Sequence, residues 1–205
     1  MRDEQAYDPL DKVNLGASVA DALLSRQLTP LGKLVPFSGA GVYAIYYHGP
    51  FSAYENVRSE AGVREVPIYA GKAVPPGARK GLAGLGQKPG KDLYKRLVEH
   101  AKSIEATTSL DLADFTCRYL VVDDIWIPLG EALVIARFSP LWNTLIDGFG
   151  NHDPGKRRYE GLRPRWDTLH PGRPWAMKCQ PRAESAEQIE REVIAYLANA
   201  AQDQG

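Results

Sequence analysis

Cysteine is scarce in this 205-residue chain: only Cys117 and Cys179 occur, far apart. That excludes the disulfide framework of a small secreted domain and the paired spacings of a zinc site, and a reducing cytoplasmic setting is expected. Long apolar runs are lacking too. None approaches the roughly 20 residues needed to cross a bilayer, and the opening Met-Arg-Asp-Glu-Gln-Ala-Tyr-Asp-Pro has neither the basic start nor the apolar stretch of a signal peptide. Net charge is absent as well, since 25 basic residues balance 25 acidic ones, so bulk composition does not point to nucleic acid. There is no internal repeat and no low-complexity tract.

What is present is an apolar content of 44%, normal for a globular protein and enough for one sizeable domain with elaborated ends. Charge is unevenly spread. Between Lys72 and Lys102 eight bases (Lys72, Arg79, Lys80, Lys88, Lys91, Lys95, Arg96, Lys102) face only Asp92 and Glu99. Between Asn151 and Trp175 six more (Lys156, Arg157, Arg158, Arg163, Arg165, Arg173) face Asp153, Glu160 and Asp167. A neutral chain with two basic internal segments can still present one positive face.

Periodicity places the elements. Leu15, Val19, Leu23 and Leu24 predict an amphipathic helix over 13–28, ended by Pro30 and Gly32. Strands are predicted at Val42–Tyr47, Val66–Gly71 and Phe115–Val122 from their aromatic and β-branched content. The Pro-, Gly- and Lys-rich stretch 74–91 has no hydrophobic period and reads as a long exposed loop. Asp92 could cap the next helix, whose stripe is Leu93, Leu97, Val98, Ala101 and Ile104, with Arg96 and His100 at i and i+4 on one face beside it. Pro128 to Phe138 reads as a buried helix with proline in its first turn, and Ser185 to Ala198 as a terminal helix. The intervening segment, rich in glycine, arginine, proline and tryptophan, shows little sign of regular structure.

One ordered series stands out: Gly41-Val42-Tyr43 and Tyr69-Ala70-Gly71 on strands, Arg96 and His100 on a helix, then Glu131, then Asn143. It resembles the signature of the GIY-YIG nuclease superfamily, over about residues 39–143. The phrases Pro67-Ile68-Tyr69-Ala70-Gly71-Lys72 and Leu93-Tyr94-Lys95-Arg96-Leu97-Val98-Glu99-His100 are similar to its type II restriction endonuclease branch. Val42 and Ala70 stand where the superfamily has isoleucine, and 25 residues separate Tyr43 from Tyr69, so 51–65 is expected as an insertion between paired strands.

The resemblance implies an α/β (α+β) fold, a small three-stranded mixed or antiparallel sheet flanked by helices. Residues 1–38 would form a helical extension, and 144–205 a DNA-recognition segment with a closing helix, within one domain of 1–205. It implies metal-dependent phosphodiester hydrolysis. Tyr43 would help activate water, which needs cationic neighbours to favour the phenolate or a relay to remove its proton. Tyr69 and His100 would accompany it, Arg96 would fork two phosphate oxygens, Glu131 would hold one Mg²⁺ (or Mn²⁺) with water completing the shell, and Asn143 would hold the metal or phosphate end through its amide. Taken singly, each has an ordinary reading: packing for a strand tyrosine or helical histidine, a solvated face for Arg96, a helix-terminus acid for Glu131, a turn residue for Asn143.

The same resemblance implies a double-stranded DNA substrate, sequence-specific cutting at a GC-rich palindrome, and a homodimer with one active site per strand. Lys72, Arg79, Lys80 and Lys88 are candidate phosphate contacts. Lys156, the run Arg157-Arg158-Tyr159 and the run Arg163-Pro164-Arg165-Trp166 offer donors for guanine edges or phosphates. A repair or homing nuclease of the superfamily, and a DNA-binding protein that has lost catalysis, are the competing readings.

Overall fold

The computed structural model describes residues 11–60, 62–75, 90–155, 157 and 159–202. Four antiparallel strands form one sheet in the order β1-β4-β2-β3: β1 (Thr29–Pro30), β2 (Gly41–Tyr47), β3 (Pro67–Ala73) and β4 (Phe115–Val121). One strand more than expected is found because β1, two residues pairing with Thr116 and Cys117, is too short to show a period. Its proline, which cannot donate to a ladder, sits at the sheet edge, where that costs nothing.

The central strand β2 is buried along its whole length, and its alternation divides the interior in two. Tyr43, Ile45 and Tyr47 enter one core with Leu93, Leu97 and Ile104 of helix α2 (Asp92–Glu105) and with Trp142, Phe149 and Trp166. Val42, Ala44 and Tyr46 enter the other, with Ala20 and Leu23 of α1 (Lys12–Leu24) and Ile127 and Val134 of α3 (Ile127–Phe138). The sheet is thus sandwiched, α2 on one face and the packed pair α1 and α3 on the other.

Helix α1 stops at Leu24, earlier than its apolar spacing suggested, because Ser25 turns its hydroxyl back to the Ala22 carbonyl and Arg26 gives its carbonyl to Arg118. Asp11 caps its start by accepting from the Val13 amide. Asp92 does not cap α2 but is its first residue. Gly39, at φ 126°, anchors that end instead: its amide donates to the Gly90 carbonyl and its carbonyl accepts from the Leu93 amide. Only glycine adopts that backbone angle without strain.

The insertion between β2 and β3 is a wall of the first core. Its 3₁₀ turn, Ser52–Val57, packs on α6 (Ala186–Gln202) and buries Tyr54 completely. The segment beyond Pro140 corrects the expectation of irregular structure. It forms α4 (Leu141–Thr144), α5 (Arg165–Leu169) and a 3₁₀ turn at Ala176–Lys178, and it inserts Trp142, Phe149, Trp166 and His170 into the core. Most of the predicted loop, residues 76–89, lies outside the described residues, and with it Arg79, Lys80 and Lys88; Lys156 and Arg158 do too. Among the described residues no helix is long and apolar enough to cross a membrane.

A hydrogen-bonded chain crosses this aromatic core: Trp142 Nε1 donates to the Tyr54 hydroxyl (3.0 Å), which donates to His170 Nε2 (2.6 Å), while Nδ1 donates to Ser109 Oγ (2.8 Å). The imidazole is therefore neutral, and burial pushes its pKa down to about 3. The unfolded chain, with a histidine near 6.5, binds a proton in the window below 6.5 that the folded chain refuses, so stability falls as pH drops through that window. Between pH 7 and pH 5, urea unfolding of the wild type should lose ~2 kcal/mol more than that of His170→Gln.

Candidate active site

The two motif tyrosines meet because of the β2–β3 register. Tyr43 pairs directly with Gly71 across the ladder, and its phenol lies over that glycine: a Cβ there would come 2.5 Å from Tyr43 Oη. Tyr69, two residues back and so on the same face, brings its ring within 6.2 Å of Tyr43, centroid to centroid. The first-motif glycine has a separate reason, since a Cβ on Gly41 would sit 2.0 Å from the Leu120 carbonyl oxygen.

Helix α2 closes over the pair. Tyr43 Oη and His100 Nε2 are 2.5 Å apart, both groups fully buried. Burial, with the nearby charge of Arg96, pushes the His100 pKa well below its ordinary value, so a neutral imidazole accepts the phenol proton. The Tyr43 pKa is driven well above 10 by burial first and the neighbouring Tyr69 next, with Arg96 pulling the other way. The resting pair is neutral phenol on neutral imidazole. Burial thus opposes a standing phenolate at Tyr43 and an imidazolium at His100.

One turn before His100, Arg96 stays cationic: burial acts against its charge, but Tyr43, Tyr69 and Glu99 outweigh it. Its Nη2 donates to the Gly150 carbonyl (2.6 Å), and its Nη1 lies 2.6 Å from His152 Nε2 and 3.3 Å from Glu99 Oε2. The guanidinium is held from one side while it still borders a 380 Å³ cleft lined also by Lys72, Lys95, Glu99 and His152.

Glu131, on the second turn of α3, approaches from the other layer. After burial, its charge is a minor influence raising the pKa of both Tyr43 and Tyr69. Lys72 Nζ lies 2.6 Å from its Oε2. Among the described residues no three His, Cys, Asp or Glu side chains converge as a metal cluster. An ion here would have one protein carboxylate, with water and substrate oxygens filling the rest, a donor set that suits Mg²⁺. The Lys72 ammonium stands on the carboxylate oxygen such an ion would take, so the two cations would compete for it.

Asn143 braces the sheet. Its Oδ1 accepts from the Ala70 amide (2.7 Å) and its Nδ2 donates to the Ala70 carbonyl (2.8 Å). The amide pairs with edge strand β3 as a neighbouring strand would and fixes the segment bearing Tyr69 and Gly71. Arg163 and Arg165 are also engaged within the chain. Arg163 donates to the Ala176 carbonyl; Arg165 bonds Glu192, pairs with Glu184 and donates to the Leu145 carbonyl. Both brace the C-terminal segment and are not brought to the tyrosines; Arg157 is exposed.

A family model described as the Eco29kI GIY-YIG domain matches residues 35–197, well over half of the chain. The chain belongs to this family of GIY-YIG nucleases. The family is that of a type II restriction endonuclease domain, and the match runs past Asn143 through the aromatic segment to Leu197. No curated protein matches the chain. Three residues of this GIY-YIG site escaped sequence reasoning: Phe149, stacked on His100 with centroids 4.6 Å apart; Gly150, where a Cβ would lie 2.5 Å from Tyr69 Oη; and His152 beside Arg96. The only sequence signal was the pair of glycines flanking Phe149.

Because Asn143 supports the sheet, its loss should register in stability without any metal. Asn143→Ala is expected to lower unfolding stability in EDTA by about 1–3 kcal/mol, from two lost hydrogen bonds to a buried strand; a residue serving only as a metal ligand would leave that value unchanged.

Proposed function

We propose that the chain is a type II restriction endonuclease making sequence-specific, Mg²⁺-dependent double-strand cuts in DNA. The observation that carries this is the buried Tyr43–His100 pair beside Arg96 and within the field of Glu131, in a chain of the Eco29kI GIY-YIG family. A protein that kept only the fold would have no use for a neutral tyrosine–histidine relay beside a poised guanidinium.

The relay accounts for water activation. As the attacking water approaches phosphorus, its proton passes to Tyr43 Oη while the phenol proton moves to His100 Nε2. Tyrosine ends unchanged and histidine holds the charge. That imidazolium forms in a place that disfavours it, and the phosphate gripped by Arg96 supplies the compensating negative charge. Arg96 can turn its outward N–H groups to two non-bridging oxygens without leaving Gly150. A metal ion on Glu131, when bound, supplies charge stabilisation for the phosphate and the leaving oxygen. Lys72, released from Glu131, is then free for a DNA phosphate.

Cutting both strands of a palindrome requires two copies of the site, so a homodimer on DNA follows. A GC-rich recognition site suits bidentate arginine–guanine contacts, for which exposed Arg157 is available, with Lys156 and Arg158 beside it in sequence.

Incubating the protein with long unmethylated duplex DNA, with and without Mg²⁺, and sequencing the fragment ends tests this directly. Discrete ends at one palindrome are expected only with metal. Glu131→Ala should abolish them, and Tyr43→Phe should slow cutting by about 10²–10⁴-fold, the span of general-base catalysis. Salt-sensitive binding without cutting would favour a DNA-binding protein; cutting that survives loss of Glu131 would remove it from the site.

A further inference from the structure

We propose that Arg173 is a positioning residue for Arg96, acting through the loop 148–152. The inference rests on the nuclease reading above and adds a residue to it.

Arg173 is 3% exposed and all five of its N–H donors are used. Nε and Nη2 take the two oxygens of Asp167, itself fully buried, at 2.6 and 2.5 Å. The remaining donors go to one stretch of backbone: Nη1 to the carbonyls of Phe149 (3.0 Å) and Asn151 (3.1 Å), and Nη2 to that of Gly148 (2.8 Å). The guanidinium lies 4.7 Å from the ring centroids of both Trp166 and Trp175. A cation so deep is tolerable only when paired and fully bonded, and here most of its bonding capacity is spent on ordering a loop.

The other face of that loop is the active site. In the run 148–151, the one carbonyl that Arg173 does not hold, that of Gly150, is the one Arg96 takes. Phe149 stacks on His100, Gly150 lies against Tyr69, and His152 adjoins Arg96. The aim of Arg96 is therefore set by a peptide whose neighbours are bonded to Arg173. Lysine at 173 would keep a charge for Asp167 but has three donors at a single point and cannot fork to carboxylate and carbonyls together.

The experiment compares the whole protein with Arg173→Lys, Arg96→Ala and the double variant, by single-turnover cleavage at saturating DNA, by DNA affinity and by amide exchange of the 148–152 peptide. Arg173→Lys should slow the cleavage step by about 10²-fold, the cost of an ångström-scale misplacement, with binding little changed and exchange in the loop faster. The double variant should be little slower than Arg96→Ala, because the main path from Arg173 to the reaction runs through Arg96. A folded Arg173→Lys cutting at the wild-type rate, or a defect that multiplies with that of Arg96→Ala, overturns the proposal. Should Arg173→Lys not fold, Asp167→Asn, which leaves Arg173 in place and weakens the carboxylate that orients it, must show the same slowed step and the same non-additivity, and wild-type behaviour there overturns it. If the wild type cuts no DNA, the nuclease reading fails on its own, and loop exchange in the variants still decides whether Arg173 orders 148–152.

Discussion

The hydrogen bond between Tyr43 and His100 joins the central strand to the helix beside it, with both side chains buried. A buried phenol and a buried imidazole each carry a desolvation cost that only a partner can offset, and here each is the other's partner. Much follows from that bond. It fixes the rotation of α2 about its axis and so the height at which Arg96, one turn earlier, emerges. It requires glycine at position 71, because the phenol crosses that backbone to reach the helix. It also keeps both groups uncharged at rest, so that a charge can be moved into the pair when substrate arrives.

Around this neutral centre the charges are balanced pairwise. Lys72 sits on Glu131, Arg96 on the Gly150 carbonyl beside Glu99, and Arg173 on Asp167. The pairs differ in depth. The Arg173–Asp167 pair is sealed and structural, whereas Lys72 and Glu131 both keep some access to solvent, where a lysine held by one ion pair can exchange partners at small cost. One site therefore combines a fixed frame with one exchangeable cation.

Much of this was legible in the sequence because it obeys periodicity. The alternation of Val42 to Tyr47 separates Tyr43 and Tyr47 from Tyr46, the motif picks out Tyr43, and the four-residue spacing of Arg96 and His100 puts both beside the helix stripe. The rest was hidden where burial does not follow a period. Trp142, Phe149 and Trp166 reach the core from loops and single turns, so no window shows them as a face. Arg173 reads as one base in a basic run, although it is among the most buried charges of the molecule; nothing local announces that its partner Asp167 is buried too. The bonds of Asn143 to Ala70 were not legible, since which backbone its amide meets depends on how α4 lands against β3.

That amide also bears on how two copies of the chain can assemble. Strand β3 forms one border of the sheet, and an uncovered border invites another strand to add to it. Asn143 occupies both outward-facing groups of Ala70, midway along β3, and interrupts the row that a second chain would need. Edge-to-edge extension of the sheet through β3 is thereby interrupted at its middle.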